Sequence, residues 1–391
     1  MSQLRHYIRN ICFFRKPSPL RRGFRDLVRE MWRIYIVRGA ALAGLIVVSG
    51  SRHYVWIAIV IMEFWIWAVG YKPRAHDSNI FRLTADERLF EFVPDISYRY
   101  YYSGRNAYGE DFVRPARVGP LGHRIPEDGT PGPLADLHLI IFGDSSVFGE
   151  GVSYGSAFAS EIERRLNEDA SLGRAVSVIN AGVPGYNTMQ SVAWMKRLVP
   201  AFSPSVILLC VSLDDTLLWG SIAIGKDGEM VRLDAPLRHK VRERLKEFSY
   251  ILYHLSQVYR FIRVEDYLKG LFMDRYIGFN LWSGSVSEMA SLCHEHDVVP
   301  VVVILPGLWK LDGGYPWRGV HSTIRSECEG HGVSVIDPLD ALQGFKGREL
   351  WVHPADPHPN ELAHRIIGQF VAGSLVETLR TSVLSRTQAA T

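Results

Sequence analysis

Leu137-His138-Leu139-Ile140-Ile141-Phe142-Gly143-Asp144-Ser145-Ser146 is an apolar run that stops at a glycine, an acid and a serine. The run reads as a buried strand. A Gly-Asp-Ser turn at its end puts a serine hydroxyl at the carboxyl edge of a sheet, where open α/β folds place their chemistry. Phe148-Gly149-Glu150-Gly151-Val152 follows, then a helical pattern from Ala157 to Leu166. A glycine-rich strand-to-helix turn with a central serine serves as a nucleophile mount. It serves equally as a tight turn capped by Asp or Ser.

From Leu137 onward the pattern alternates. Apolar strands are predicted at 137–142, 176–180, 205–211, 299–305 and 333–336. Helical spacing fills 157–167, 188–199, 284–296 and 318–329. Strands alternating with helices predict a parallel sheet covered on both faces. The stretch 233–269 breaks the rhythm. Leu245, Phe248, Leu252, Leu255 and Tyr259 lie along one helical face there, so it reads as a helical insertion near the sheet edge. A second chemical signal lies far downstream. Asp356-Pro357-His358-Pro359-Asn360 precedes a last helix, Glu361 to about Leu379. An Asp two residues before a His can hold one ring nitrogen and leave the other free to take a proton from a serine. His353 and His364 are rivals for that base. His353 has no Asp placed to orient it, and His364 falls inside the helix.

Together these segments resemble the SGNH hydrolases, also called GDSL esterases. Gly143-Asp144-Ser145 is similar to the first of the four family blocks, which carries the nucleophile. The run Val178 to Thr188 resembles the second, with Gly185 at the oxyanion-hole glycine. After the strand Val206 to Val211, Ser212-Leu213-Asp214-Asp215 stands where the third block reads Gly-x-Asn-Asp. Asp356 and His358 match the short Asp-x-His form of the last. The lead-in Val118 to Arg124 is similar to that of membrane-linked bacterial members, and the resemblance covers roughly 85 to 380. It implies a three-layer α/β/α domain with a central parallel, flavodoxin-like sheet. It implies Ser145 as nucleophile, His358 as base and Asp356 as its orienting acid. The oxyanion hole would be built from Ser145, Gly185 and Asp214. The third block departs from the family, because an ionised Asp214 accepts only and repels an oxyanion. Asp214 held protonated by burial, or Asn187 or Asn180 reaching in, would repair the hole. Failing that, the protein is an impaired relative that binds acylated glycan or lipid, or scaffolds a membrane complex.

The 391 residues suit one large domain with appendages, and 47% hydrophobic against 22% charged residues is a globular mix. The net charge of +3 hides an asymmetry. Residues 1–38 carry +8, and the remainder has 34 basic against 39 acidic residues. A basic start followed by apolar sequence points to a membrane surface; no nucleic-acid motif is present. The apolar segments Ile34 to Val48 and Tyr54 to Val69 approach spanning length with their flanks. A helical hairpin would leave the catalytic domain cytoplasmic. A single span would put it outside. The expected organisation is a basic segment 1–33, membrane segment 34–71, linker and collar 72–136, catalytic domain 137–380 and tail 381–391. Cys12, Cys210, Cys293 and Cys328 lie far apart, with no disulfide framework. No metal or cofactor is expected. The expected activity is a membrane-anchored serine esterase or O-acyltransferase on an acyl ester, such as acetyl, of a glycan or lipid, with a membrane protein as a further partner.

Overall fold

The computed structural model describes residues 75–76, 80–105, 111–135, 137–217, 222–224, 230–232, 266, 268–273, 277–353 and 356–389. The chain divides into two compact units. One comprises Met1–Arg74, Tyr102–Phe112 and Ala235–Val264, and apart from two strand ends it lies outside the described residues. The basic start, both apolar segments of 34–71 and most of the insertion 233–269 therefore lie outside them too. Among the described residues, no helix is long and apolar enough to cross a membrane. The other unit comprises Ala75–Tyr101, Val113–Asp234 and Glu265–Thr391 and carries every residue assigned a chemical role above.

In chain order the strands are β1 (Ala75–His76), β2 (Phe81–Leu83), β3 (Phe90–Phe92), β4 (Ser97–Arg105), β5 (Asp111–Val118), β6 (Arg124–Ile125), β7 (Leu137–Gly143), β8 (Val176–Gly182), β9 (Val206–Val211), β10 (Ile222–Ile224), β11 (Met230–Arg232), β12 (Val299–Ile304), β13 (Ser334–Ile336), β14 (Trp351–His353) and β15 (Asp356–Pro359). The helices are α1 (Ser145–Phe148), α2 (Phe158–Glu168), α3 (Thr188–Phe202), α4 (Ile277–Glu295), α5 (Arg318–Gly330), α6 (Leu339–Leu342) and α7 (Glu361–Ala389).

Nine of the described strands form one sheet in the order β1-β4-β5-β6-β8-β7-β9-β12-β13. The parallel part, β8-β7-β9-β12-β13, has its strands in the chain order 2-1-3-4-5, the flavodoxin-like winding. Such crossovers are right-handed as a rule, which sends α2 to one face and α3 and α4 to the other and makes three layers; α2 packs against α7, and α3 against α4. The central strands are covered on both faces and so read as unbroken apolar runs. Ile140, Ile141 and Phe142 of β7, Val206 to Leu209 of β9 and Val302 to Ile304 of β12 are fully buried.

The sheet is mixed rather than wholly parallel as expected. The collar is the reason. Tyr98 and Tyr100 lie two residues apart, a strand period, and both are buried. The segments expected as irregular linker instead form β4 to β6. β5 and β6 run antiparallel, and β6 joins the parallel part antiparallel to β8, with Arg124 opposite Asn180. The last helix also runs ten residues past its expected end, to Ala389.

Candidate active site

The first strand of the parallel winding and the third lie side by side, and the serine turn follows the first. That is the topological switch point of such a sheet, where the strands leave a crevice at their carboxyl ends. The turn is held tightly. A Cβ on Gly143 would stand 2.5 Å from Val147 Cγ2 and 3.0 Å from the Cys210 carbonyl. A Cβ on Gly182, which pairs with Gly143 across the sheet, would stand 2.3 Å from the Phe148 nitrogen. Only glycines let the two strand ends and the turn close to this distance. Asp144 caps the short helix α1 by accepting from the Ser146 N–H at 2.8 Å. Its other oxygen accepts from Ser212 Oγ at 2.7 Å, which ties this turn to the one after β9.

The far terminus supplies the base. Asn360 anchors the segment in three directions. Its Oδ1 accepts from the N–H groups of Leu362 and Ala363, both at 3.1 Å, at the start of α7. Its Nδ2 donates to the Glu349 carbonyl at 2.8 Å, and its N–H to the Leu350 carbonyl at 2.8 Å. His358, just before it, is half-buried. Its Nε2 lies 2.7 Å from Ser145 Oγ, across 213 residues of chain. Its Nδ1 bonds Asp356 Oδ1, which also accepts the His358 N–H at 3.1 Å. With Nδ1–H committed to the carboxylate, the neutral ring presents a lone pair on Nε2 to the serine proton.

Neither rival histidine stands there. His353 is buried in β14. His364 is fully buried one turn into α7, with its Nδ1 accepting the Phe158 N–H at 3.1 Å. Burial, helped by nearby positive charge, pushes its pKa down to about 3, so it stays neutral.

At the crevice, the N–H of Ser145 and the N–H of Gly185 have no protein acceptor among the described residues. Gly185 has φ +82, in the left-handed region. Asn180 and Asn187, named above as substitutes, spend their amides elsewhere. Asn180 Nδ2 donates to the Val147 carbonyl at 2.8 Å, and its Oδ1 accepts from the Gly182 N–H at 3.1 Å. Asn187 caps α3 through Gln190 and donates to the Leu217 carbonyl at 2.7 Å. Both therefore brace the turns that frame the crevice.

Asp144, Asp214 and Asp215 each bring one carboxylate oxygen within 4.8 Å of the others. Asp215 is buried and accepts from Thr188 Oγ1 at 2.7 Å. Burial and its two acidic neighbours push its pKa well up. Asp214 is exposed, yet the protein groups close around its carboxyl push it up, to about 6, by desolvation first and by Asp144 second. Water reaches the Asp214 side chain from the crevice, so that value is its ceiling. The His358 ring also acts on it, in the opposite direction. Cys293 and Cys328 are buried within helices, and burial pushes both thiols up to about 12.

Glu150 and Arg124 carry no assigned role in the sequence, and Tyr98 and Tyr100 belong to its collar, yet all four meet at the serine turn beside His358. The one signal for them was an acid set between two glycines, Gly149-Glu150-Gly151.

The profile of the GDSL-like Lipase/Acylhydrolase family matches residues 141–366, more than half of the chain. The chain belongs to that family and is an ester-hydrolysing enzyme. Its α/β unit with a central mixed sheet accords with the membership. Among solved structures, the psychrotrophic esterase EstA from Pseudoalteromonas is 12% identical, with a TM-score of 0.38 over 63% of this chain and 100% of the other. The acetylxylan esterase Axe2 from Geobacillus stearothermophilus, as a catalytic mutant, is 11% identical, with a TM-score of 0.40 over 62% of this chain and 96% of the other. No curated protein matches the chain.

Proposed function

We propose that the chain is a serine esterase or O-acyltransferase of the SGNH type, anchored to a membrane by its start and acting on an acyl ester, such as acetyl, of a glycan or lipid. The observation that carries this reading is the 2.7 Å contact between Ser145 Oγ and His358 Nε2, with Nδ1 held by Asp356. Ser145 Oγ attacks the acyl carbonyl carbon as its proton passes to Nε2. The free N–H groups of Ser145 and Gly185 receive the oxyanion, with Asp214 in the third place. His358 then returns the proton to the departing alcohol, leaving an acyl-enzyme. Water completes hydrolysis, and a sugar hydroxyl completes transfer, through the same intermediate. The basic and apolar start supports the membrane anchor.

One observation favours a second reading. The carboxylate of Asp214 stands where the family places an amide, which fits a binding protein of impaired activity. A fluorophosphonate probe separates the two. The enzyme labels, and the Ser145→Ala variant does not. A well-folded wild type that takes no label sinks the esterase reading.

A further inference from the structure

Glu150 lies in the turn that follows the serine, and its N–H donates to the Ser145 carbonyl at 3.0 Å. Its side chain is 1% exposed. A carboxylate is buried at such a place only when its charge is met by partners. Oε2 lies 3.4 Å from His358 Nε2, the nitrogen that faces Ser145 Oγ. Oε1 accepts from the Tyr100 hydroxyl at 2.9 Å. The Tyr98 hydroxyl is 2.8 Å from that of Tyr100. Tyr100 has one proton and gives it to the carboxylate, so Tyr98 donates to Tyr100. The backbone around Glu150 is pinned as well. The buried Arg124 guanidinium donates to the carbonyls of Phe148 at 2.5 Å, Gly149 at 3.0 Å and Val152 at 2.7 Å. A plain turn needs none of this.

We propose that Glu150 is a positioning residue for His358: its carboxylate stabilises the imidazolium that forms when Nε2 takes the serine proton, and holds that charged ring beside Ser145. The inference rests on the serine-esterase reading above. As the Oγ–carbon bond forms, the proton moves from Oγ to Nε2. The ring then lies between two carboxylates, Asp356 at Nδ1–H and Glu150 beside Nε2–H. As the carbon–alkoxide bond breaks, the same proton leaves on the alcohol. Of the other groups facing the ring, Asp214 acts in the same direction as Glu150. His364 is neutral, and Arg124, on the carbonyls flanking Glu150, opposes them. A Gln at 150 would remove the charge, and its NH₂ would compete with Ser145 for the Nε2 lone pair.

The test compares the full-length wild type with Glu150→Gln in two measurements. The first is titration of the His358 ring by ¹⁵N NMR. The second is the rate of fluorophosphonate labelling against pH. Loss of an opposite charge at this range is expected to lower the ring pKa by about 1–2 units. The acidic limb of labelling should move to lower pH by the same amount, and the plateau rate should fall about 10-fold, less than the loss of a whole general base because the base itself remains. A merely structural Glu150 lowers the rate without moving the limb, and that result overturns the proposal. Should Glu150→Gln not fold, the wild type alone decides. Its His358 ring is expected to titrate above the ordinary value of about 6.5, and titration at or below that value overturns the proposal. A wild type that takes no label, while its ring titration still drops in Glu150→Gln, overturns the esterase reading and leaves the hold of Glu150 on the ring supported.

Discussion

Replacing Asp214 by Asn is the sharpest test of how this site makes its oxyanion hole. With the Asp214 pKa at about 6, about 3% of the side chain is protonated at pH 7.5 and about 90% at pH 5. Only the protonated form can donate to an oxyanion. Loss of one such donor lowers kcat by about 10²–10³, so the ionised form contributes almost nothing. An Asn donates at every pH. The ratio of kcat/KM for Asp214→Asn over wild type, measured on an aryl acetate, is therefore expected to be about 30 at pH 7.5 and to fall toward about 1 at pH 5. His358 titrates in both proteins, and the Asp214 charge acts on its ring, so each kcat/KM is first divided by the fraction of active base read from that protein's own acidic limb. Access of water to Asp214 lowers its pKa, which raises the neutral-pH ratio toward the full donor effect, so about 30 is the floor. A ratio that does not change with pH, or a variant that folds with unchanged thermal stability and has no activity, refutes the reasoning. Asp214 would then have work of its own that an amide cannot do.

The fold itself makes two further predictions. His364 has its pKa depressed from 6.5 to about 3, so the unfolded chain binds that proton first as pH falls. The stability it contributes is complete above pH 6.5 and is lost toward pH 3, at about 1.4 kcal/mol per pH unit. In urea unfolding, His364→Gln should keep an acceptor for the Phe158 N–H and lose less stability than wild type between pH 7 and pH 5; an identical loss would refute it. Gly182→Ala sets a methyl against the Phe148 nitrogen. It is expected to cost about 1–3 kcal/mol, lower the melting temperature and slow fluorophosphonate labelling of Ser145. Unchanged labelling would mean that the serine turn tolerates the shift.

Much of the architecture was legible because it rests on period and punctuation. The five strands of the parallel winding and the helices between them are long, apolar or amphipathic segments bounded by turn residues, and these survive tertiary context. Gly143-Asp144-Ser145 and Asp356-x-His358 were legible because each needs an unusual local arrangement of small, acidic and imidazole groups. The antiparallel side of the sheet was not. β4 and β5 are rich in tyrosine and arginine, whose amphipathic side chains suit a half-buried strand and a loop alike. The duties of Asn180 and Asn187 were equally invisible. An amide near an active site looks the same in sequence whether it faces substrate or closes a turn, and both of these close turns.

The same distinction explains why Glu150 escaped notice. Its neighbours come from β4, β6 and the segment before α7, and no local spacing joins residues 98, 100, 124, 150 and 358. The mixed sheet joins them. β6 lies beside β8 and brings Arg124 to the carbonyls of the serine turn, while β4 delivers the tyrosine pair to Glu150. The strands misjudged as a collar are thus the ones that fix the polar surroundings of His358. If that is their role, weakening them should disturb the protonation of the base before it disturbs the core, because the core lies in β7, β9 and β12. Tyr98→Phe removes one hydroxyl two bonds from Glu150 along this relay and leaves those strands intact. It is the mildest change that would separate the two effects.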